Sequence, residues 1–134
     1  LELACEAGVG NLLRAPGDAL RERRPELLAG HVPEPSLLHG DLWGGNWGVA
    51  DSKPVIFDPA VYYGDREADL AMTRLFGGFG SSFYEAYESA WPLSPGASRR
   101  DALYRLYHVL NHANLFGGGY VSQAAGLMQS LITK

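Results

Sequence analysis

The sequence predicts a mostly helical (α+β) domain that contains one short β-hairpin. Three observations carry that expectation. Apolar residues recur at spacings of three and four from Ala68 onward, in segments separated by Gly77-Gly78, by Pro92 and Pro95, and by Gly117-Gly118-Gly119. Two short runs of strand character, Trp47 to Ala50 and Pro54 to Phe57, flank the turn residues Asp51-Ser52-Lys53. The 134 residues, 46% hydrophobic and 19% charged, suffice for one globular domain with a core, so residues 1–134 are read as a single lobe.

In order along the chain, Glu2 to Ala7 reads as the end of a helix broken at Gly8 and Gly10. Asp18 is placed to cap a segment through Ala19, Leu20 and Arg23. Pro25 is unsuited to a helix interior and is expected to open a new turn that Gly30 closes. Pro33 and Pro35 keep the chain extended into Ser36-Leu37-Leu38, a short buried approach to the loop beyond it. After the hairpin, Ala60 to Gly64 reads as a connecting loop. Gly64 or Asp65 then starts a helix with Ala68, Leu70, Ala71, Leu75 and Phe76 on its apolar face. Ser82 with Glu85 suggests a capping box for the next helix, which packs through Phe83, Tyr84 and Tyr87. Ser98 with Asp101 marks a third start, followed by Leu103, Leu106, Tyr107, Leu110 and Asn114. A last amphipathic segment carries Val121, Ala124, Ala125, Met128 and Leu131.

Bulk properties narrow the function classes. A net charge of −4 argues against a nucleic-acid face, and the basic run Arg21-Glu22-Arg23-Arg24 is interrupted by Glu22, as a solvated helix face would be. Cys5 is the only cysteine, which excludes an intrachain disulfide and a cysteine zinc site. No apolar run reaches membrane-spanning length and no signal peptide is visible, so no membrane is expected and a cytoplasmic location is. The first residue is Leu1, and the chain is expected to be a piece of something longer or a processed product.

The chemistry concentrates in Leu37-Leu38-His39-Gly40-Asp41-Leu42-Trp43-Gly44-Gly45-Asn46 and in Val55-Ile56-Phe57-Asp58-Pro59-Ala60. An Asp, an Asn five residues later and a second Asp beyond a short turn are the parts that a phosphoryl-transfer site takes from its C-terminal half. Asp41 can accept the proton of an attacking hydroxyl, while Asn46 and Asp58 can supply oxygens to magnesium. If the two strands pair in the register of a three-residue turn, Asn46 and Asp58 face each other at the open end, about 5 Å apart between Cα atoms. The stretch resembles the catalytic loop and metal-binding Asp of protein kinases and aminoglycoside phosphotransferases. It departs from the protein-kinase form in Gly40, where Arg is usual, and in Asp58-Pro59, where Asp-Phe is usual.

Further stretches narrow the resemblance: Trp43-Gly44-Gly45, residues Tyr63 to Met72, Phe76-Gly77-Gly78-Phe79, residues Leu106 to His112, and Leu115-Phe116-Gly117-Gly118-Gly119-Tyr120. In this order they are similar to the fructosamine kinase (ketosamine 3-kinase) family of the aminoglycoside phosphotransferase-like group. The resemblance runs from about Leu37 to the end, and it implies the C-terminal lobe of a protein-kinase-like fold. It also implies ATP-dependent phosphorylation of the sugar 3-hydroxyl of a ketosamine, with ATP as co-substrate and Mg2+ as cofactor. The acceptors would be fructosamine, ribulosamine or erythrulosamine adducts of small amines or protein lysines, and the phosphorylated product would release the amine, a deglycation repair. Position by position, Asp41 matches the base, Asn46 and Asp58 the magnesium ligands, His39 a loop-bracing histidine, and Asp69 a buried carboxylate that holds the loop by hydrogen bonds.

Trp43 is read either as a platform for the sugar or its amine-bearing tail, or as a core residue. His108, Asn111 and His112 fall on one polar helix face that either lines the acceptor pocket or braces the loop at Phe79. The Gly77-Gly78 and Gly117 to Gly119 runs are helix ends and fit no phosphate-binding pattern, and neither Lys53 nor Lys134 replaces a phosphate-pairing lysine. The chain by itself is therefore expected not to transfer phosphate. Rival readings are a non-catalytic kinase-like lobe used as a binding or regulatory module, another small-molecule phosphotransferase of the same group, and a magnesium-dependent hydrolase.

Overall fold

The computed structural model describes residues 10–133. They form α1 (Gly10–Leu27), β1 (Ser36–Leu38), β2 (Trp47–Ala50), β3 (Lys53–Ile56), β4 (Tyr62–Gly64), α2 (Glu67–Leu75), α3 (Ser81–Ala90), α4 (Ala97–Phe116) and α5 (Gly119–Thr133). The predicted helix at Glu2 to Ala7 and Lys134 lie outside the described residues. These elements divide into two compact units, one of residues 10–30 and 98–133 and one of His31–Ala97.

The helical unit is held by apolar stripes. On α1 the buried positions are Leu13, Gly17, Leu20 and Leu27, and on α5 they are Val121, Ala124, Met128 and Leu131. Both stripes step by three, four or seven residues, as one face of a helix must, and α1 and α5 pack on each other. That packing overrides the local sequence. Helix α1 runs without a break through Pro16 and Pro25, with Asp18 inside it, so Asp18 is no cap and Pro25 opens no new turn. An interior proline costs roughly 3 kcal/mol, while burying Leu20 and Leu27 recovers about 1.5–3 kcal/mol for each side chain. The Arg23 guanidinium adds hydrogen bonds to the carbonyls of Leu131 and Ile132, which lie in the last turn of α5 and have no intrahelical donors. In α4 the buried positions are Arg100, Leu106, His108, Val109 and Ala113. Tyr107, which follows the helical spacing of Leu103, Leu106 and Leu110, is exposed. Helix α4 starts at Ala97, which puts Ser98 inside it.

In the second unit, β1 pairs antiparallel with β4, Ser36 opposite Gly64 and Leu38 opposite Tyr62. The expected connecting loop at Ala60 to Gly64 thus contains a strand. Leu38 is buried but Leu37 is exposed, so only half of the predicted approach is buried. The hairpin pairs Trp47 with Ile56 and Ala50 with Lys53 through a two-residue turn, Asp51-Ser52, whose φ angles of 49° and 61° are the left-handed pair that a tight hairpin requires. The predicted turn was one residue longer, so β3 ends at Ile56 and the partner of Asn46 is Phe57, whose N–H donates to the Asn46 carbonyl at 3.1 Å. Asn46 and Asp58 do not face each other as a ladder pair.

Helix α2 starts at Glu67, two or three residues later than expected, with the Asp65 carboxylate accepting the Glu67 amide at 3.0 Å. Its buried residues are Glu67, Ala68, Leu70, Ala71, Met72 and Thr73, whereas Phe76 is exposed. Helix α3 starts at Ser81 after Gly80 with no side-chain cap bond, so the Ser82–Glu85 capping box is not formed.

Candidate active site

The loop between β1 and β2 is fixed by side chains that hydrogen-bond its backbone. Asp69, one turn into α2, accepts the His39 amide at 2.7 Å on Oδ2 and the Gly40 amide at 2.9 Å on Oδ1. One carboxylate thereby satisfies two successive loop amides, in the short geometry of charge-assisted bonds. The His39 ring spans the loop: Nε2 lies 2.9 Å from the Phe57 carbonyl and Nδ1 lies 3.3 Å from the Asp41 amide. A carbonyl can only accept and an amide N–H can only donate, so these partners select the neutral tautomer with its proton on Nε2. The Ala60 amide donates to the His39 carbonyl at 2.8 Å, which extends the β1–β4 pairing toward the loop.

Gly40 is required by the backbone. Its φ is 82°, and a Cβ there would lie 1.9 Å from the Ala60 carbonyl oxygen. This explains why the Arg usual at this place in protein kinases is missing.

Asn46 is buried, and its Nδ2 donates to the Asp41 carbonyl at 2.9 Å and to Asp41 Oδ2 at 3.0 Å. Both amide protons are spent on Asp41, which leaves Asn46 Oδ1 and Asp41 Oδ1 as open acceptors. Asp58 is exposed and left-handed, with φ 55°, on the residue after the one paired with Asn46. Among the described residues neither Asn46 Oδ1 nor the Asp58 carboxylate has a hydrogen-bond partner, and two such oxygens suit a hard cation such as magnesium.

Trp43 is 40% exposed, its ring edge-on to Phe76 with centroids 6.2 Å apart, so it is no core residue. Gly45 lies under the indole, where a Cβ would come within 2.3 Å of the ring. In the helical unit, His108 is buried, Asn111 is exposed and His112 is intermediate, with His112 Nδ1 at 2.8 Å from the His108 carbonyl. Around the helix the three fall within about 100° of one another, but burial changes across that arc, from the buried His108 to the exposed Asn111. The His112 ring packs with Phe116 and Tyr120 at centroid distances of 5.8 and 5.2 Å.

Two features escaped the sequence reading. His31 Nε2 lies 2.6 Å from Asp65 Oδ2 and its Nδ1 lies 3.2 Å from the Ser94 hydroxyl, with Glu67 in the same cluster. Both ring nitrogens of His31 are engaged, so the cluster ties residues 31, 65 and 94 together. The other feature is Trp47, whose Nε1–H donates to the Gly78 carbonyl at 3.2 Å. Neither leaves a local signal in the sequence, since the partners are more than thirty residues apart.

With this geometry in place, the comparison with known proteins is specific. The family model for fructosamine kinase matches residues 1–134. The chain belongs to the fructosamine kinase family. A relative named "Probable ketoamine kinase" from Vibrio parahaemolyticus is 57% identical over 108 residues, which are 81% of this chain and 38% of the relative. The ketosamine-3-kinase of Mus musculus is 50% identical over 113 residues, 84% of this chain and 37% of the mouse protein. The solved structure of a "putative fructosamine-3-kinase" from Thermobifida fusca superposes with a TM-score of 0.87 at 33% identity, covering 99% of this chain and 46% of that one. This fructosamine kinase chain thus spans less than half the length of these relatives, and its mostly helical fold with two small sheets matches the corresponding part of the Thermobifida fusca structure.

Proposed function

We propose that the protein carrying this chain phosphorylates a sugar hydroxyl of ketosamines with ATP, and that the loop at residues 39–46 is its catalytic loop. The observation that carries this reading is the link between Asn46 and Asp41. It engages one carboxylate oxygen, leaves the other open, and sets an amide oxygen beside it. Family membership supports the substrate class, and the name of the mouse relative supports the 3-hydroxyl as the acceptor.

In this mechanism the ketosamine 3-hydroxyl donates its proton to Asp41 Oδ1. Its oxygen forms a bond to the γ-phosphorus of ATP, the bond from that phosphorus to the β–γ bridging oxygen breaks, and ADP leaves with the electron pair. Asn46 holds the Asp41 carboxylate in one rotamer, so the base needs no reorganisation at the moment of transfer. Held at its Nδ1 by the Asp41 amide, the neutral His39 braces the loop and carries no proton to substrate. Asp69 fixes the loop backbone. Asn46 Oδ1 and the Asp58 carboxylate would hold Mg2+, which supplies neutralisation of phosphate charge when bound. The half-exposed indole of Trp43, two residues past the base, serves as a platform for the sugar or the amine it is attached to.

Replacing Asp41 by Asn tests the reading. Turnover is expected to fall by about 100- to 10,000-fold with ATP affinity unchanged, as for loss of a positioned base. Turnover within about threefold of the parent would remove Asp41 from that role. Product analysis by phosphorus NMR of a fructosamine or ribulosamine reaction locates the phosphate, and a phosphate away from the 3-position would overturn the regiochemistry.

A further inference from the structure

We propose that the turn between α2 and α3, Phe76 to Gly80, is a positioning element for the catalytic loop, and that Trp47 and Gly78 are positioning residues through which it acts. The proposal rests on the function proposed above and deepens it. It concerns the segment Trp43 to Trp47, which carries Asn46.

Contact between turn and loop is made at three places. The backbones of Gly44 and Gly78 touch directly. A Cβ on Gly44 would lie 2.9 Å from the Gly77 carbonyl oxygen and 3.2 Å from Gly78 Cα, and a Cβ on Gly78 would lie 2.8 Å from Gly44 Cα. Gly78 also has a φ of 97°, a conformation that other residues rarely adopt. On one side of this contact, Trp43 meets Phe76 edge-on at 6.2 Å. On the other, Trp47 donates its indole N–H to the Gly78 carbonyl and lies against Phe79 with centroids 5.7 Å apart. Phe79 in turn packs on Phe83 of α3 at 4.7 Å. Two tryptophans of the loop therefore straddle one glycine turn, with a backbone contact between them.

What lies between the tryptophans gives the clamp its consequence. Asn46 immediately precedes Trp47, its amide donates to the Trp43 carbonyl at 2.9 Å, and its side chain holds Asp41. A shift of Trp47 moves Asn46 directly and Asp41 through it. Misplacement by about 1 Å costs on the order of 100-fold in a reaction that depends on alignment. The turn thus couples the start of α3 to the base without touching substrate.

The test is Trp47→Phe in the protein carrying this chain, which keeps an aromatic ring on the Phe79 side, removes the N–H donor and shortens the ring system. The expected result is threefold: amide hydrogen exchange over residues 40–47 quickens, kcat falls about tenfold, and the ketosamine KM stays within about twofold. The half-saturating magnesium concentration for nucleotide binding, followed by calorimetry with ADP, should rise about threefold or more through displacement of Asn46. Parent-like exchange over 40–47 together with parent-like magnesium dependence would overturn the inference, whatever the activity. If Trp47→Phe does not fold, Phe79→Leu is judged by the same criteria. Asp41→Asn run alongside separates the two readings. A loosened loop in Trp47→Phe with an Asp41→Asn protein that still turns over would leave the clamp standing and sink the catalytic assignment.

Discussion

The two units of this chain are held together by different physics. In the helical unit, order comes from repetition: Leu13, Gly17, Leu20 and Leu27 on α1 and Val121, Ala124, Met128 and Leu131 on α5 are buried at helical spacing. In the unit of residues 31–97, a few polar atoms with specific partners fix a loop that has little apolar content of its own. Asp69 on two amides, His39 between an amide and a carbonyl, and Asn46 on Asp41 are the examples. Apolar burial is non-directional and tolerates shifts, whereas hydrogen-bond geometry does not. Stability and alignment should therefore be separable by mutation.

Beyond Asp41→Asn, the largest expected effect is on stability. Leu13 is fully buried, and Leu13→Ala should cost about 2–5 kcal/mol, seen as a lowered denaturation midpoint. Below that transition kcat should stay near the parent value, and a large loss of kcat in the folded variant would break the proposed separation. Asp69→Ala should show the opposite balance. It leaves the His39 and Gly40 amides without their acceptor, at about 1–3 kcal/mol, and should lower kcat by about tenfold or more through loop misalignment. A parent-like kcat would mean that the loop is held without the carboxylate. Trp43→Ala should raise the ketosamine KM by roughly tenfold, in line with the loss of one aromatic contact, and leave the ATP KM unchanged. Equal changes in both would count against the platform.

The smallest effect belongs to Glu26, where Arg23 donates a hydrogen bond to the carboxylate and attracts it, holding its pKa below the usual 4.5, with Arg99 assisting. A carboxylate lowered in the folded state stabilises above its unfolded pKa, and the contribution disappears as pH falls through the folded value. Glu26→Gln should therefore lower Tm slightly at pH 7. The difference should close below the usual value of 4.5 and shrink with added salt, because this pair is exposed. A difference that widens toward acid would contradict the assignment.

The same contrast governs what could be read in advance. The candidate site was legible because its chemistry demands particular residue types within a short span, so Asp41, Asn46 and Asp58 stand out without knowledge of packing, whereas the role of Asp69 came only with the family resemblance. The α5 stripe was legible because a helical face repeats along the chain. Helix α1 was misread because its continuity through Pro25 depends on α5, about a hundred residues away. Strand β4 was missed because Tyr62-Tyr63-Gly64 is short and lacks alternation, with its partner 26 residues upstream. The hairpin register slipped by one because Asp51 and Ser52 take positive φ without a glycine to announce it. The contact of Gly78 with Gly44 is not legible in advance, since a glycine pair after a helix reads as an ordinary terminator.

The crowding at Gly40 bears on how the loop at residues 39–46 is ordered. In protein kinases an activation loop can be ordered when a new phosphate pairs with arginines, which makes activity conditional on modification. Position 40 of this chain cannot carry such an arginine, because any side chain there would collide with the Ala60 carbonyl. The loop takes its order instead from Asp69, a carboxylate built into the same unit. That order depends on α2 staying folded, because Asp69 lies on that helix.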